Sequence, residues 1–331
     1  MTIKKSVLKA SEHDLRVYES IEGLISSIDN PTPLVRINKR LNTNPKFSIY
    51  LKLERFNPFG SIKDRIALSM LDGIHLNGKK CIIEPSSGNT GIALTCIANA
   101  RKIPIEIAVP KRIPHEKKIL LRMLGVKVLW EADDNLCPVY PNEGARGLVN
   151  GIVNSSCGNE YYFPNQYENE LNVLAHYKTT GPEIWKQTRG KVQYFFAGLG
   201  TCGTITGVGK FLKEKNSSIK IIGIEPSVTE HNIPGMKRIT GLRKDLVPKI
   251  LKQEIIDEII EIEDNKAYNT SIQLARKTGI LAGPTTGAIV AAALDYGKDK
   301  EGLVVCISPD DATKYISSYA KYVKNDGNLI F

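Results

Sequence analysis

The sequence has few cysteines and no long apolar run. Its six cysteines, at positions 81, 96, 137, 157, 202 and 306, include no C-x-x-C pair, so their spacing matches neither a zinc ribbon nor a disulfide framework. No apolar stretch reaches the ~20 residues that a membrane-spanning helix needs. The N-terminal segment carries Glu12 and Asp14 and has no apolar core, which is unlike a secretory or transit peptide. We therefore expect a cytoplasmic protein with no metal site and no membrane contact.

Positive charge is in excess but is not concentrated. The net charge of the 331 residues is +10, and the basic residues are spread along the chain. The densest cluster, KRIPHEKKILLR, continues as an amphipathic helix without the interleaved aromatic residues that nucleic-acid binding favours. We expect no nucleic-acid partner, and the charge is compatible with small anionic ligands.

Strand-like and helix-like segments alternate through most of the chain. The strand-like segments are FSIYLKLE, KKCIIEP, IPIEIAVP, VKVLWEA, VQYFFAG, IKIIGIEP, EIIEIE and GLVVCISP. Helical patterns such as GIALTCIANARK separate several of them, which predicts an α/β protein whose parallel sheets are covered on both faces. The irregular stretch 133–167 is a candidate boundary, so we expect two lobes with a cleft between them.

Three apolar strands run into a short Gly/Ser/Thr loop that opens a helix. These loops span residues 86–91, 198–207 and 284–287. Each such junction offers unpaired backbone N–H groups, a positive helix end and hydroxyl groups, which together favour anions. The second loop also contains G-x-G-x-x-G, with Glu225 at the offset that a dinucleotide-binding fold uses for a ribose. The pattern alone leaves a nicotinamide site open.

The segment NPFGSIKDR places a lysine where a structural lysine is unfavourable. Ser61 and Asp64 resemble a capping box, so Lys63 falls in the first turn of the following helix. The positive helix end repels an ammonium group and lowers its pKa, which favours the neutral amine that Schiff-base chemistry requires. A solvated lysine at a helix start explains the spacing equally well.

Together these segments resemble the cysteine synthase family of pyridoxal-phosphate (PLP) enzymes, which have the tryptophan-synthase-like fold type II. The resemblance covers nearly the whole chain and rests on KLERFNPFGSIKDR, EPSSGNTGIAL, KTTGPEIW, GTCGTITGVGKFLKE, GILAGPTTGA and ISPDDATKY. It implies a smaller, mobile lobe of residues 50–160 and a larger lobe of residues 1–49 and 161–331. The smaller lobe would carry the lysine and the loop that binds the substrate carboxylate, and the larger one the loop that binds the cofactor phosphate. It also implies a homodimer.

The resemblance assigns the cofactor site. Lys63 would form the internal aldimine, and Asn89 would bind the 3′-oxygen of PLP. Thr285 would face the pyridine nitrogen, where a hydroxyl favours elimination over transamination because it does not stabilise a protonated ring. The cofactor phosphate would bind Gly200, Thr201, Cys202, Gly203 and Thr204. The dinucleotide match is then accidental, and Glu225 has no ribose to bind.

The resemblance also assigns the substrate site and the reaction. The substrate carboxylate would bind Ser86, Ser87, Asn89 and Thr90, with Gln166 beside them. Lys63 would remove the α-proton, the β-substituent would leave to give an aminoacrylate, and a sulfur donor would add to form L-cysteine. Acetate and phosphate are the usual leaving groups. We favour O-phosphoserine because Arg243 stands where phosphoserine-using relatives place an arginine.

Several readings remain open beside this one. An O-acetylserine sulfhydrylase, a cystathionine synthase using homocysteine and a non-catalytic binding relative share the same motifs. Cys202 occupies a position that is usually glycine, so either its φ is negative or its backbone is strained. A thiol at a helix start also tends to have a lowered pKa, which makes redox sensitivity an alternative role.

Overall fold

The computed structural model describes residues 17–323 except 75, 77, 80, 87, 111–114, 127–128 and 133–143. These residues form ten strands and ten α-helices. In chain order they are β1 (Leu34–Arg36), β2 (Phe47–Leu53), α1 (Lys63–Leu71), β3 (Cys81–Pro85), α2 (Asn89–Ala100), β4 (Ile105–Pro110), α3 (His115–Met123), β5 (Leu129–Ala132), α4 (Gly144–Val153), β6 (Tyr161–Tyr162), α5 (Glu170–Ala175), α6 (Gly181–Gln187), β7 (Val192–Gly198), α7 (Gly203–Lys215), β8 (Lys220–Pro226), β9 (Glu258–Ile262), α8 (Asp264–Thr278), α9 (Pro284–Tyr296), β10 (Gly302–Ser308) and α10 (Ile316–Tyr319).

The strands form two sheets, and the predicted α/β class is confirmed. The larger sheet has the order β1-β2-β10-β7-β8-β9, and only the β1–β2 pair is antiparallel. The smaller sheet has the order β5-β4-β3-β6 and is parallel throughout. The non-consecutive neighbours arise because helices cross over between parallel strands.

Helices cover both faces of each sheet. In β7, Phe195 packs with the apolar side of α7, and Phe196 packs with α9 on the opposite face. In β3, Ile82 packs against α1 and α2, while Ile83 packs against α4. Because successive side chains point to opposite faces, strands buried on both sides read as continuous apolar runs. No helix among these described residues has the length and apolar character of a membrane span.

The sheets do not divide at the predicted lobe boundaries. β2 belongs to the larger sheet, although its last residues fall within the range 50–160. β6 starts at Tyr161, just beyond that range, yet pairs with β3 in the smaller sheet. The chain therefore leaves the larger sheet after β2 and returns after β6, and the division into a mobile and a fixed lobe remains a prediction.

Candidate active site

A cavity of about 430 Å³ lies where the carboxyl ends of strands from both sheets meet. Strands β3 and β4 contribute from the smaller sheet, and β7 and β10 from the larger one. This is the edge at which parallel α/β sheets bind ligands. The predicted residues that line it are Lys63, Ser86, Asn89, Thr90, Gln166, Gly200, Thr201, Cys202, Thr204 and Thr285. Gly203 lies just behind the wall as the first residue of α7, and Ser87 lies outside the described residues.

Lys63 is the first residue of α1, as the sequence predicts. The hydroxyl of Ser61 accepts a hydrogen bond from the Lys63 backbone N–H at 3.2 Å. The Asp64 carboxylate accepts from the Phe59 N–H at 2.7 Å and from the Ser61 hydroxyl at 3.1 Å. These contacts differ from a capping box, because Asp64 closes the preceding turn, where Gly60 has φ +78°. They fix the lysine at the cavity wall.

The Lys63 amine is shifted toward its neutral form. Burial is the largest cause and lowers its pKa, while the electrostatic influence of Asp310 and Cys202 acts in the opposite direction. The lowered pKa of Lys63 agrees with the sequence-based prediction, but its main cause is desolvation and not the positive helix end. A neutral amine accepts protons and attacks carbonyl carbon, so Lys63 has the properties of a catalytic base and nucleophile.

Asp310, which sequence reasoning gave no role, lies beside this lysine. Its Oδ2 accepts hydrogen bonds from the Asn89 amide at 2.7 Å and from the Tyr315 hydroxyl at 2.5 Å. Lys314 donates to the Asn89 Oδ1 at 3.0 Å. The Asn89 amide is thereby fixed in one orientation. Oδ1 of Asp310 is buried and has no hydrogen-bond partner among the described residues, and burial raises the pKa of this carboxyl.

The loop 200–204 packs so closely that two of its positions require glycine. A Cβ on Gly200 would lie 2.2 Å from the Gly235 carbonyl oxygen, and one on Gly203 would lie 1.9 Å from the Asn172 Oδ1. Asn172 donates to the Thr201 hydroxyl at 3.3 Å, and Thr204 contacts the buried His176 at 3.2 Å. The first N–H groups of α7 have no acceptor within the helix. The loop is therefore a compact N–H cradle of the type that binds phosphate.

Cys202 has a left-handed backbone, with φ +67°, so its non-glycine side chain is accommodated at the cost of strain. Its side chain is buried and its thiol lies 3.7 Å from the Gly200 carbonyl oxygen. Burial raises the pKa of this thiol to about 12. The alternative of a lowered thiol pKa is wrong, because desolvation outweighs the helix end.

The loop after β3 forms a second cradle. The Ser86 hydroxyl accepts from the Gly91 N–H at 3.0 Å, and the Thr90 hydroxyl donates to the Gln166 side-chain oxygen at 2.8 Å. Gln166 is held by Glu84, whose buried carboxyl accepts from its backbone N–H at 3.4 Å. Burial raises the pKa of Glu84 to about 8. Glu84 was not identified from the sequence, although only Pro85 separates it from the loop.

The third loop opens α9 at the far wall. Thr285 donates its hydroxyl proton to the Pro234 carbonyl at 2.8 Å and lines the cavity with its side chain. Glu225, the candidate ribose ligand of a dinucleotide site, is fully buried at the end of β8 and accepts from the Thr240 N–H at 3.1 Å. Its position gives the dinucleotide interpretation no support.

Cations outnumber anions among the residues that line the cavity, but Arg243 is not one of them. Lys117, Arg146 and Lys237 line the cavity. The Arg243 side chain is 69% exposed, does not line the cavity, and lies 2.9 Å from Asp245. In this arrangement Arg243 pairs with Asp245 away from the cavity lining, and its contact with a substrate phosphate stays a prediction.

The residues present fit PLP. A lysine with a lowered pKa lies between a phosphate-type N–H cradle and an amide donor held in one orientation. The buried Oδ1 of Asp310, a lining residue, has no hydrogen-bond partner among the described residues and is a further sign of a polar site built for a ligand. Lys63 would hold the aldehyde end, residues 200–204 the phosphate, Asn89 the 3′-oxygen and Thr285 the ring nitrogen.

Comparisons with known proteins agree with this geometry. The family model described as pyridoxal-phosphate dependent enzyme matches residues 25–310. The cysteine synthase of Aquifex aeolicus is 36% identical over 318 residues, which are 93% of this chain and 94% of that protein. The cystathionine beta-synthase of Apis mellifera is 37% identical over 91% of this chain, but over only 62% of its own length.

A solved structure extends the match to the whole fold. The crystal structure of the cysteine synthase (OASS) of Entamoeba histolytica aligns with a TM-score of 0.82 and 30% identity, covering 99% of this chain and 96% of that one. This confirms the two-sheet architecture expected for fold type II. The chain belongs to the pyridoxal-phosphate dependent enzymes, within the family that contains the cysteine synthases.

Proposed function

We propose that the protein makes L-cysteine by β-replacement, using O-phosphoserine as the activated serine and sulfide as the sulfur donor. The observation that carries the proposal is the Lys63 amine with its lowered pKa, in a cavity that is lined by two N–H cradles and by further cations. The named cysteine synthase relatives support the reaction class. The cations support a dianionic leaving group.

Different residues of the chain bind the substrate and transfer its α-proton. Bound PLP supplies an electron-withdrawing ring that makes the α-hydrogen of an amino acid acidic. Residues 86–90 and Gln166 bind the substrate carboxylate and set the α-hydrogen toward Lys63. Lys63 takes the α-proton while phosphate leaves from the β-carbon, and it returns a proton to the α-carbon after sulfide has added. One amine therefore acts first as base and then as acid.

An O-acetylserine sulfhydrylase is the second candidate. The Entamoeba histolytica structure carries that name, and the acetyl ester of O-acetylserine is uncharged, so its recognition needs none of the cations that line the cavity. A homodimer and a cytoplasmic location are further proposals, tested by light scattering of the purified protein and by cell fractionation.

The test compares activated serines on the PLP-loaded enzyme with sulfide as the second substrate. Cysteine is measured by mass spectrometry, and kcat/KM is determined for O-phosphoserine, O-acetylserine and serine. We expect kcat/KM for O-phosphoserine to exceed that for O-acetylserine by at least about tenfold, the effect of one added charged contact. A reversed preference would overturn the leaving group. Consumption of homocysteine in place of sulfide would overturn the sulfur donor.

A further inference from the structure

Two cavity-lining cations lie against one aromatic ring. The Arg146 guanidinium is 4.2 Å from the centre of the Tyr167 ring, and the Lys237 ammonium is 4.6 Å from the same centre. All three side chains are half-buried and line the cavity. The ring attracts both cations to its faces and reduces their freedom before any ligand arrives.

The backbone places this group between the two predicted binding loops. Tyr167 directly follows Gln166, whose side chain accepts from Thr90 in the loop 86–90. The Lys237 N–H donates to the Leu199 carbonyl at 2.7 Å, immediately before the loop 200–204. An amino acid whose carboxylate binds beside Gln166 therefore has its β-substituent within reach of these cations.

The charges of the cavity favour an anion there. Among the described residues no carboxylate forms an ion pair with Arg146. The nearby Glu84 carboxyl has its pKa raised to about 8 by burial, so it tends to be neutral and leaves the guanidinium uncompensated. Asp310 is the one carboxyl among the lining residues, and burial raises its pKa as well. A planar guanidinium binds a phosphate through two hydrogen bonds, and a lysine adds a point charge.

We infer that Arg146 and Lys237, held on Tyr167, bind the anionic β-substituent of the substrate, and that this group is a phosphate. This inference rests on the proposed β-replacement and moves phosphate recognition from the exposed Arg243 to the cavity wall. It makes Arg146 and Lys237 specificity-determining residues, while Tyr167 is a positioning residue.

The test compares two arginine variants of the PLP-loaded enzyme. Arg146→Gln and Arg243→Gln remove the same charge, but only the first changes the cavity. For Arg146→Gln we expect kcat/KM for O-phosphoserine to fall roughly 10- to 100-fold, the effect of one charge-assisted contact, and that for O-acetylserine to fall less than about threefold. Arg243→Gln should change neither. Equal losses for both substrates in Arg146→Gln, or a phosphoserine-selective loss in Arg243→Gln, would overturn the inference.

A second readout separates this inference from the choice of substrate. Inorganic phosphate is used as an inhibitor competitive with O-acetylserine, and its inhibition constant is measured for each variant. We expect the constant to rise at least about tenfold in Arg146→Gln and to be unchanged in Arg243→Gln. If the wild type prefers O-acetylserine but this pattern holds, the anion site stands and only the substrate proposal fails. If phosphate inhibits both variants equally, the anion site is wrong.

Controls exclude cofactor binding and folding as causes. The visible absorbance of bound PLP measures cofactor affinity, which should be unchanged in Arg146→Gln, whereas a loss would place Arg146 on the cofactor phosphate and overturn the inference. Arg146→Lys keeps the charge but loses the two-point contact, so its phosphate inhibition should be intermediate. Tyr167→Phe keeps the ring and should resemble the wild type, while Tyr167→Leu should weaken phosphate inhibition.

Discussion

Two buried charged clusters in this molecule differ in how completely their groups are paired. The ion cluster, made of Lys52, Glu54, Arg65 and Glu183, is almost fully excluded from solvent, and each charge has an opposite partner. Its contacts include Lys52–Glu183 at 2.6 Å, Arg65–Glu54 at 2.6 Å and Arg65–Glu183 at 2.5 Å. It ties β2, α1 and α6 together.

The cavity cluster, made of Lys63, Asn89, Asp310 and Tyr315, is partly buried and incompletely paired. Asp310 Oδ1 has no partner, and Lys63 makes no ion pair with a described residue. The pKa values of Glu54 and Asp310 shift in opposite directions, whereas burial lowers the pKa of both lysines, Lys52 and Lys63. Burial alone raises the pKa of Glu54, but adjacent Arg65 outweighs it and brings the pKa down to about 2. Burial prevails in the cavity cluster, where the pKa of Lys63 is lowered and that of Asp310 is raised.

The difference between the clusters shows which buried charged groups stabilise the fold and which are suited to proton transfer. Fully paired groups keep their charge, and removing one partner leaves an uncompensated charge in the protein interior. Incompletely paired groups tend toward their neutral forms, which exchange protons readily near neutral pH. The following predictions test this contrast, from the largest expected effect to the smallest.

Replacing the amine of the cavity cluster should abolish activity without unfolding the protein. Lys63→Ala should lower cysteine formation by at least about 10³-fold, because Lys63 is the base assigned to take the α-proton. Thermal unfolding of the variant should stay close to that of the wild type. Cysteine formation at the normal rate by Lys63→Ala would remove Lys63 from the mechanism.

Breaking the ion cluster should lower the stability of the protein. Glu183→Ala leaves Lys52 and Arg65 without one of their carboxylates and should lower the free energy of unfolding by about 3–5 kcal/mol. Urea denaturation measures this change. The control is Glu261→Ala, which breaks the exposed pair with Arg238 and should cost about 0–1 kcal/mol. Similar losses for both variants would contradict the contrast.

His176 is buried near both clusters and should make stability depend on pH. Burial, together with the charges of Arg65 and Lys63, lowers its pKa to about 3, whereas in the unfolded chain it is near 6.5. As pH falls from 6.5 toward 3, His176 binds a proton in the unfolded chain but not in the folded protein. The contribution of His176 to the free energy of unfolding is therefore lost in that window, by at most about 1.4 kcal/mol per pH unit.

The measurement for His176 is urea denaturation at several pH values in the wild type and in His176→Gln. The difference in unfolding free energy between the two proteins should shrink as pH falls below 6.5. A difference that stays constant from pH 7 to pH 4 would show that His176 does not carry this dependence.

Removing the Asp310 carboxylate from the cavity cluster should shift the pH dependence of PLP uptake and change the stability of the protein little. Asp310→Asn keeps an acceptor for Asn89 and Tyr315, so the free energy of unfolding should change by less than about 1 kcal/mol. It also removes a negative charge that raises the pKa of Lys63, so PLP uptake by the cofactor-free protein should reach its full rate at lower pH. Absorbance of bound PLP records that rate, and a shift to higher pH would contradict the assignment.

The sequence predicts the fold better than the details of the site. All eight segments read as strands are strands, because each is a continuous or alternating apolar run. The two missed strands, β1 and β6, have three and two residues and are too short to show a period. The missed link between β6 and the smaller sheet depends on pairing with β3, which no local pattern reveals.

The positions of the site's loops can be predicted from local sequence patterns, whereas the roles of its other charged residues cannot. The positions of Lys63, Asn89 and residues 200–204 follow from strand-loop-helix junctions that meet at the carboxyl ends of parallel strands. The roles of Asp310 and Arg146 depend on neighbours far away in the chain, so spacing gave no signal for them. Arg243 was assigned by resemblance to phosphoserine-using relatives, and its contact with a substrate phosphate stays a prediction.

The most direct test of the central claim mixes the PLP-loaded enzyme with O-phosphoserine in the absence of sulfide. Inorganic phosphate and the visible spectrum of the cofactor are followed together. The account predicts a spectral change with release of one phosphate per active site, followed by return of the spectrum and one cysteine per site when sulfide is added. Binding of PLP without phosphate release or spectral change would contradict it.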